Sequence, residues 1–213
     1  VIGATGLVGK QLVQLLLEDE NFNKVRIFVR RDSRINHPKL EQQIVDFKDE
    51  KKWSNYLTGD VLFSALGTTL KQAGSKEKQY EIDFTFNLNF ANKAKENKIN
   101  NYVLVSSVGA NSNSKVFYTR MKGELDDAAE KTGFENLAIL RPSSLTGDRT
   151  KKRLMEIISI PVANFITQYV LKKYRPIADK TVARAMINSV INPNSNKTIW
   201  EGDEVFELAD MQQ

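Results

Sequence analysis

Tyr118 and Lys122 stand four residues apart in Tyr118-Thr119-Arg120-Met121-Lys122, and on a helix that spacing puts both on one face. A free phenol is mostly protonated at neutral pH, and a neighbouring ammonium stabilises its phenolate. Such a pair can pass a proton to or from a carbonyl or alcohol oxygen. Ser107, at the end of the preceding strand-like run, is placed to hydrogen-bond that oxygen, with Ser106 the adjacent alternative. Ser107, Tyr118 and Lys122 are the candidate catalytic residues. The partner for this chemistry is suggested at the start of the chain. Gly3-Ala4-Thr5-Gly6-Leu7-Val8-Gly9 lies between a short apolar run and a helical pattern. Three glycines at that spacing allow a tight turn, close backbone approach to a pyrophosphate and close helix–strand packing. The helix that follows supplies free N–H groups and partial positive charge. The loop, including Thr5, Leu7 and Val8, is therefore expected to bind a dinucleotide.

Cofactor choice is read after the run Val25–Val29. An NAD site would carry Asp or Glu there for the ribose 2′-hydroxyl. This chain has Arg30-Arg31, whose guanidinium groups suit a 2′-phosphate. NADP(H) is favoured over NAD(H). Asp46 and Phe47 are expected at the adenine edge.

The 213 residues, 41% hydrophobic and 27% charged, contain no cysteine and one histidine, His37. This excludes a disulfide scaffold, a thiol nucleophile and Cys-ligated metal, and makes a Ser-His-Asp triad improbable. No metal site is expected. The excess of 31 basic over 26 acidic residues, net +5, suits an anionic small ligand. No nucleic-acid signature accompanies it, so neither nucleic-acid nor membrane partners are expected. No run of 18 apolar residues occurs. Absent cysteine and absent signal peptide point to the cytoplasm, and the opening Val1-Ile2 reads as a strand stub with residues missing before it.

Short β-rich runs alternate with amphipathic stretches, the pattern of a parallel sheet covered on both faces. Strands are expected at residues 1–2, 25–29, 43–46, 61–66, 102–105 and 137–140, with helices at 9–18, 80–97 and 118–131. Residues 154–171 read as a lid or core helix, 181–190 as another, and 199–208 as a final strand and turn. The expected architecture is one α/β domain over residues 1–213. Residues 151–213 form a small C-terminal cap completing a substrate cleft rather than an independent domain. Phe117, Phe165 and Tyr169 give that cleft some apolar character.

With these motifs in order, the sequence resembles the short-chain dehydrogenase/reductase superfamily, and within it the atypical branch of the HIV Tat-interactive, NADPH-binding oxidoreductase-like family and its bacterial relatives. The resemblance is carried by Gly3–Gly9, Arg30-Arg31, Leu66-Gly67-Thr68-Thr69-Leu70-Lys71-Gln72-Ala73-Gly74, Ser106-Ser107-Val108-Gly109-Ala110, Tyr118 to Glu124, Leu140-Arg141-Pro142 and Val182 to Met186. It implies a Rossmann doubly wound parallel sheet, NADPH in its crevice and Ser107, Tyr118 and Lys122 as the triad. It further implies cofactor contacts from Leu66, Gly67 and Thr68, from Ser106, and from Arg141, Pro142 and Ser143. The expected function is NADP(H)-dependent hydride transfer to or from a small carbonyl or alcohol. The alternative is an NADPH-binding regulatory or scaffold protein with little turnover. Monomer and homodimer both remain open, and the short tail argues against sugar epimerase or dehydratase chemistry.

Overall fold

The computed structural model describes residues 1–146, 174–193 and 197–211. Its strands are β1 (Val25–Val29), β2 (Leu40–Ile44), β3 (Val61–Ser64), β4 (Asn101–Val105), β5 (Asn136–Arg141), β6 (Leu145–Thr146), β7 (Ile177–Ala178) and β8 (Ile199–Glu201). The helices are α1 (Leu7–Glu18), α2 (Glu50–Trp53), α3 (Leu70–Ala73), α4 (Lys76–Tyr80), α5 (Phe86–Glu96), α6 (Phe117–Lys131), α7 (Asp179–Ile191) and α8 (Asp203–Asp210).

The strands β3, β4, β5 and β8 lie side by side, as do β1 and β2, and every pairing is parallel. Val1 and Ile2 join the two groups. Ile2 bridges Phe28 on one side and Ser64 on the other, through Phe28 N–H to Val1 O, Ile2 N–H to Phe63 O and Ala65 N–H to Ile2 O, each 3.0 Å. The order across the sheet is therefore β2, β1, Val1-Ile2, β3, β4, β5, β8, the doubly wound arrangement in which ligands bind at the carboxyl ends.

Alternation along the strands divides the core into two layers. Ile27, Phe63, Val103, Ala138 and Leu140 face α1, α7 and α8 through Leu12, Leu16, Val182, Met186 and Leu208. Phe28, Leu62, Leu104 and Ile139 face the other layer, where Trp53, Phe90, Leu125 and Ala129 pack. Trp53 stacks on Phe90, ring centroids 3.8 Å apart.

Four expectations change. The strand expected at 43–46 lies at Leu40–Ile44, in register with β1. The single helix expected at 80–97 is α4 and α5 joined by a five-residue π turn, Glu81–Thr85. The final turn is a helix, because Val205, Leu208 and Ala209 recur at helical spacing and bury together. The described part of the expected cap is layered into the main fold: β8 extends the sheet and α7 lies in the core. The stretch 154–171, with Phe165 and Tyr169, lies outside the described residues. Among those described, no helix is long and apolar enough to cross a membrane.

Candidate functional site

The glycine loop leaves the sheet at the carboxyl end of Val1-Ile2, and its glycines do different work. Gly3 has φ +78°, and a Cβ there would come within 2.3 Å of the Ala65 carbonyl carbon. A Cβ on Gly9 would come within 2.1 Å of the Gly3 oxygen, so Gly9 lets α1 sit against the loop. Gly6 has an ordinary φ of −75° and caps α1 with no side-chain hydrogen bond; a Cβ there meets its nearest atom at 3.2 Å. No acidic residue occupies the first turn, and the first-turn N–H groups of Leu7, Val8 and Gly9 have no partner within the helix. Thr5 is exposed at the tip. An uncapped, acid-free helix start behind glycine backbone fits a pyrophosphate.

At the end of β1, Arg30 and Arg31 are both exposed. Asp32 next to them is already engaged, its Oδ1 accepting Gln42 Nε2–H and the Arg34 N–H, each at 2.9 Å. The Gln42 bond, then the Arg34 amide, holds this carboxyl below its ordinary value. Asp46 is exposed and accepts the Lys48 N–H at 3.0 Å. Phe47 departs from expectation: it is 5% exposed and edge-on to Phe86 and Phe90, so its ring belongs to the core and is withheld from an adenine.

Ser107 follows β4 and is partly buried; its hydroxyl makes a long 3.5 Å contact with Val108 O. Tyr118, 39% exposed, lies in the first turn of α6, and Lys122, one turn on, is buried. A Cβ on Gly123 would come within 2.1 Å of the Ser112 nitrogen, so this glycine lets α6 press against the loop after β4 and sets the height of Tyr118 and Lys122.

Lys122 sits among carboxylates. Its Nζ is 3.5 Å from Asp83 Oδ1, and Asp126 lies one turn along α6. Burial opposes its charge, but Tyr118, Asp83 and Asp126 outweigh burial and raise the ammonium above its ordinary 10.5. Burial also raises both carboxyls, against Lys122 and the Thr68 amide at Asp83, and against Ser106, Arg141 and Lys122 at Asp126. The Leu66-Gly67-Thr68 segment follows β3, with Gly67 exposed and Thr68 N–H donating to Asp83 Oδ2 at 2.8 Å.

Two side chains expected on the cofactor are committed elsewhere. Arg141 Nε pairs with Asp126 Oδ2 at 2.8 Å, because a buried carboxylate needs a countercharge. The buried Ser143 hydroxyl donates to the Arg175 carbonyl. Pro142 is buried and accepts the Val108 N–H at 2.9 Å, which ties the β5 loop to the Ser107 loop. Ser106 is buried beside Asp126. The sequence reading missed Asp83, Asn87, Asp126, Gln42 and the packing role of Gly123. Asp126 alone had a local signal, four residues beyond Lys122. Among the described residues, cavities of about 290 and about 690 Å³ open at the amino ends of the strands, near Asn136 and near Val25. The titratable cluster and the glycine loop share the carboxyl ends, which makes that end the candidate site.

A parallel sheet with an uncapped glycine turn at its switch point defines a nucleotide-binding protein of Rossmann type. The chain belongs to the NAD(P)H-binding family, whose model matches residues 3–193. It is similar to "Protein FMP52, mitochondrial" of Saccharomyces cerevisiae, 40% identical over 157 residues covering 72% of this chain and 68% of that protein. The Candida glabrata protein of the same name is 42% identical, over 70% of this chain and 64% of its own length. Protein fmp52-1, mitochondrial, of Aspergillus terreus is 32% identical, over 98% and 97%. In fold it is similar to the Bordetella bronchiseptica enzyme WbmH solved with NAD+, at TM-score 0.71 and 16% identity, over 94% of this chain and 73% of that one. A UDP-N-acetylglucosamine 4-epimerase from Methanobrevibacter ruminantium gives TM-score 0.66 and 19% identity, over 97% and 78%. These confirm the α/β Rossmann-like fold and NAD(P)H binding. They overturn the cytoplasmic expectation, since the fungal relatives are named as mitochondrial proteins.

Proposed function

We propose that the protein is an NADP(H)-dependent oxidoreductase of atypical short-chain dehydrogenase type, acting on a small carbonyl or alcohol. The observation that carries the reading is the pairing of half-exposed Tyr118 with buried, carboxylate-flanked Lys122 at the same sheet edge as the glycine loop. When bound, the reduced cofactor supplies hydride to the carbonyl carbon. Tyr118 gives its phenolic proton to the carbonyl oxygen, so that the product is the alcohol. Lys122, held as an ammonium, stabilises the phenolate left behind, and solvent reprotonates the half-exposed ring. Ser107 hydrogen-bonds the substrate oxygen and orients it. Gly6, Leu7, Val8 and Gly9 offer backbone to the pyrophosphate, with Gly3 and Thr5 shaping the turn and Leu66 to Thr68 flanking it. Arg30 and Arg31 bind the 2′-phosphate, a preference supported by the engagement of Asp32 with Gln42. Arg141 and Ser143 act on the site only through Asp126 and the chain at Arg175. The relatives' names support a mitochondrial setting, which fractionation tests.

The test is NADPH oxidation across a panel of aldehydes and ketones by wild type and Tyr118→Phe. The variant is expected to bind NADPH as wild type does and to lose about 10²–10⁴-fold in turnover. Undiminished turnover would remove Tyr118 as the acid.

A further inference from the structure

Glu201 ends β8 and belongs neither to the glycine loop nor to the Ser-Tyr-Lys set, yet its Oε1 accepts the Gly109 N–H at 2.7 Å across 92 positions of sequence. The strand presents it there. Trp200 is buried with α1 and α7, and alternation turns Glu201 to the opposite face. Ile199 shares that face and packs against the layer of Phe90 and Leu125. The Glu201 backbone is fixed on both sides. Its N–H donates to Glu204 Oε2 at 2.9 Å, and the Gly202 N–H donates to Arg141 O at 3.2 Å. Gly202 has φ +62°, the left-handed backbone that lets the chain turn into α8 directly after Glu201. Glu204 is itself paired with Lys197 at 2.6 Å.

The loop that this carboxylate reaches carries Ser107. Ser106 N–H to Leu140 O at 2.7 Å and Val108 N–H to Pro142 O at 2.9 Å keep the loop on β5 and the turn after it. Gly109 follows with φ +76° and is exposed, and its amide is the group that Glu201 binds. The Ser107 hydroxyl makes a long 3.5 Å contact with Val108 O, so its place is set by the backbone around it. A backbone N–H bonded to a carboxylate is stronger than a neutral pair. At an exposed site water competes for both groups, and the net gain in stability is small. The effect of the contact is positional.

We propose that Glu201 is a positioning residue that clamps the C-terminal segment onto the loop after β4 and so sets the Ser107 hydroxyl against the substrate oxygen. The inference rests on the oxidoreductase reading and extends it to a residue that acts through Gly109 rather than on substrate or cofactor.

The test compares wild type with Glu201→Ala, Glu201→Asp and Glu201→Gln, each first shown to be folded by thermal melting. Aspartate keeps the charge but is one methylene too short, whereas glutamine keeps the reach and an accepting oxygen. The Gly109 ¹H–¹⁵N signal, assigned through its chain neighbours, should move upfield and exchange faster in Glu201→Ala and Glu201→Asp and stay near its wild-type position in Glu201→Gln. NADPH oxidation with aldehydes and ketones should fall about tenfold to a hundredfold in the first two variants and recover to within about threefold in Glu201→Gln, with NADPH affinity unchanged throughout. In a Ser107→Ala background, Glu201→Ala should cost less than about twofold more, because the two act as one unit. If Glu201→Ala does not fold, Glu201→Asp decides, alone and in that background. A Gly109 signal unchanged in Glu201→Asp overturns the proposal, as does undiminished turnover or an equal further loss without the Ser107 hydroxyl. Absence of wild-type turnover across the panel overturns the oxidoreductase reading, and with it the functional half of the inference, whatever the Gly109 signal does.

Discussion

Lys122 and its neighbours concentrate the site's electrostatics in a few buried atoms. Its ammonium is raised in the folded chain by Tyr118, Asp83 and Asp126 against burial. A raised native pKa means that the folded state holds this proton more tightly than the unfolded state. The stability it confers is complete below the unfolded value near 10.5 and is lost as pH climbs through the higher native value. Denaturant melts at neutral pH and above 10.5 should show this alkaline loss in wild type and a smaller one in Lys122→Met; equal losses would contradict it. Tyr118, Lys122 and Ser107 were legible as candidates because their spacing and order are local properties of the sequence. Asp83 was not, since its partners Thr68 and Lys122 lie 15 and 39 positions away. Arg141 reads as a ligand residue beside a proline turn until Asp126, 15 positions back, is seen to bind it.

At the scale of elements, the glycine loop and α1 separate binding from folding. Gly6 has an ordinary φ and a nearest neighbour at 3.2 Å for an added Cβ, whereas Gly9 would collide with Gly3 O at 2.1 Å. Gly6→Val should fold and melt near wild type yet lose NADPH binding, because its side chain occupies the pyrophosphate's approach. Gly9→Val should lose about 1–3 kcal/mol or more of stability from overpacking. Calorimetric melts with and without NADPH distinguish the two; a Gly6→Val protein that still binds NADPH would refute the placement. Strand positions were readable from buried apolar runs such as Val61 to Ser64 and Tyr102 to Val105. The π turn was not, because Glu81 to Thr85 follows the same periodicity as an unbroken helix and differs only in where Asn87 and Asp83 bond. The helix α8 was missed because Ile199-Trp200-Glu201 begins as a true strand and the reading carried it on through Gly202.

Across the whole molecule, the carboxyl-terminal residues complete the sheet's covering. Trp200, 5% exposed, and Val205, Leu208 and Ala209 share a core with α1 and β1. Trp200→Ala should therefore cost about 3–5 kcal/mol, a large share of a typical domain's stability, measured by denaturant unfolding; a change below about 1 kcal/mol would mean these residues form a dispensable appendage. The order of strands places the candidate site segments at one edge; alternation made a parallel sheet covered on both faces readable, the doubly wound arrangement came from the family resemblance, and the compartment was not readable. Composition pointed to the cytoplasm, and only relatives named as mitochondrial corrected it. The central claim is that this edge binds a phosphorylated nicotinamide dinucleotide through the glycine loop and Arg30-Arg31. It is tested most directly by calorimetric titration of the cofactor-free wild type and the Arg30→Ala/Arg31→Ala variant with NADPH and NADH. The account predicts tighter NADPH binding in wild type and a loss in the variant confined mainly to NADPH, of about tenfold or more for charge-assisted hydrogen bonds. Equal affinity for the two cofactors in wild type, or equal losses in the variant, would contradict it.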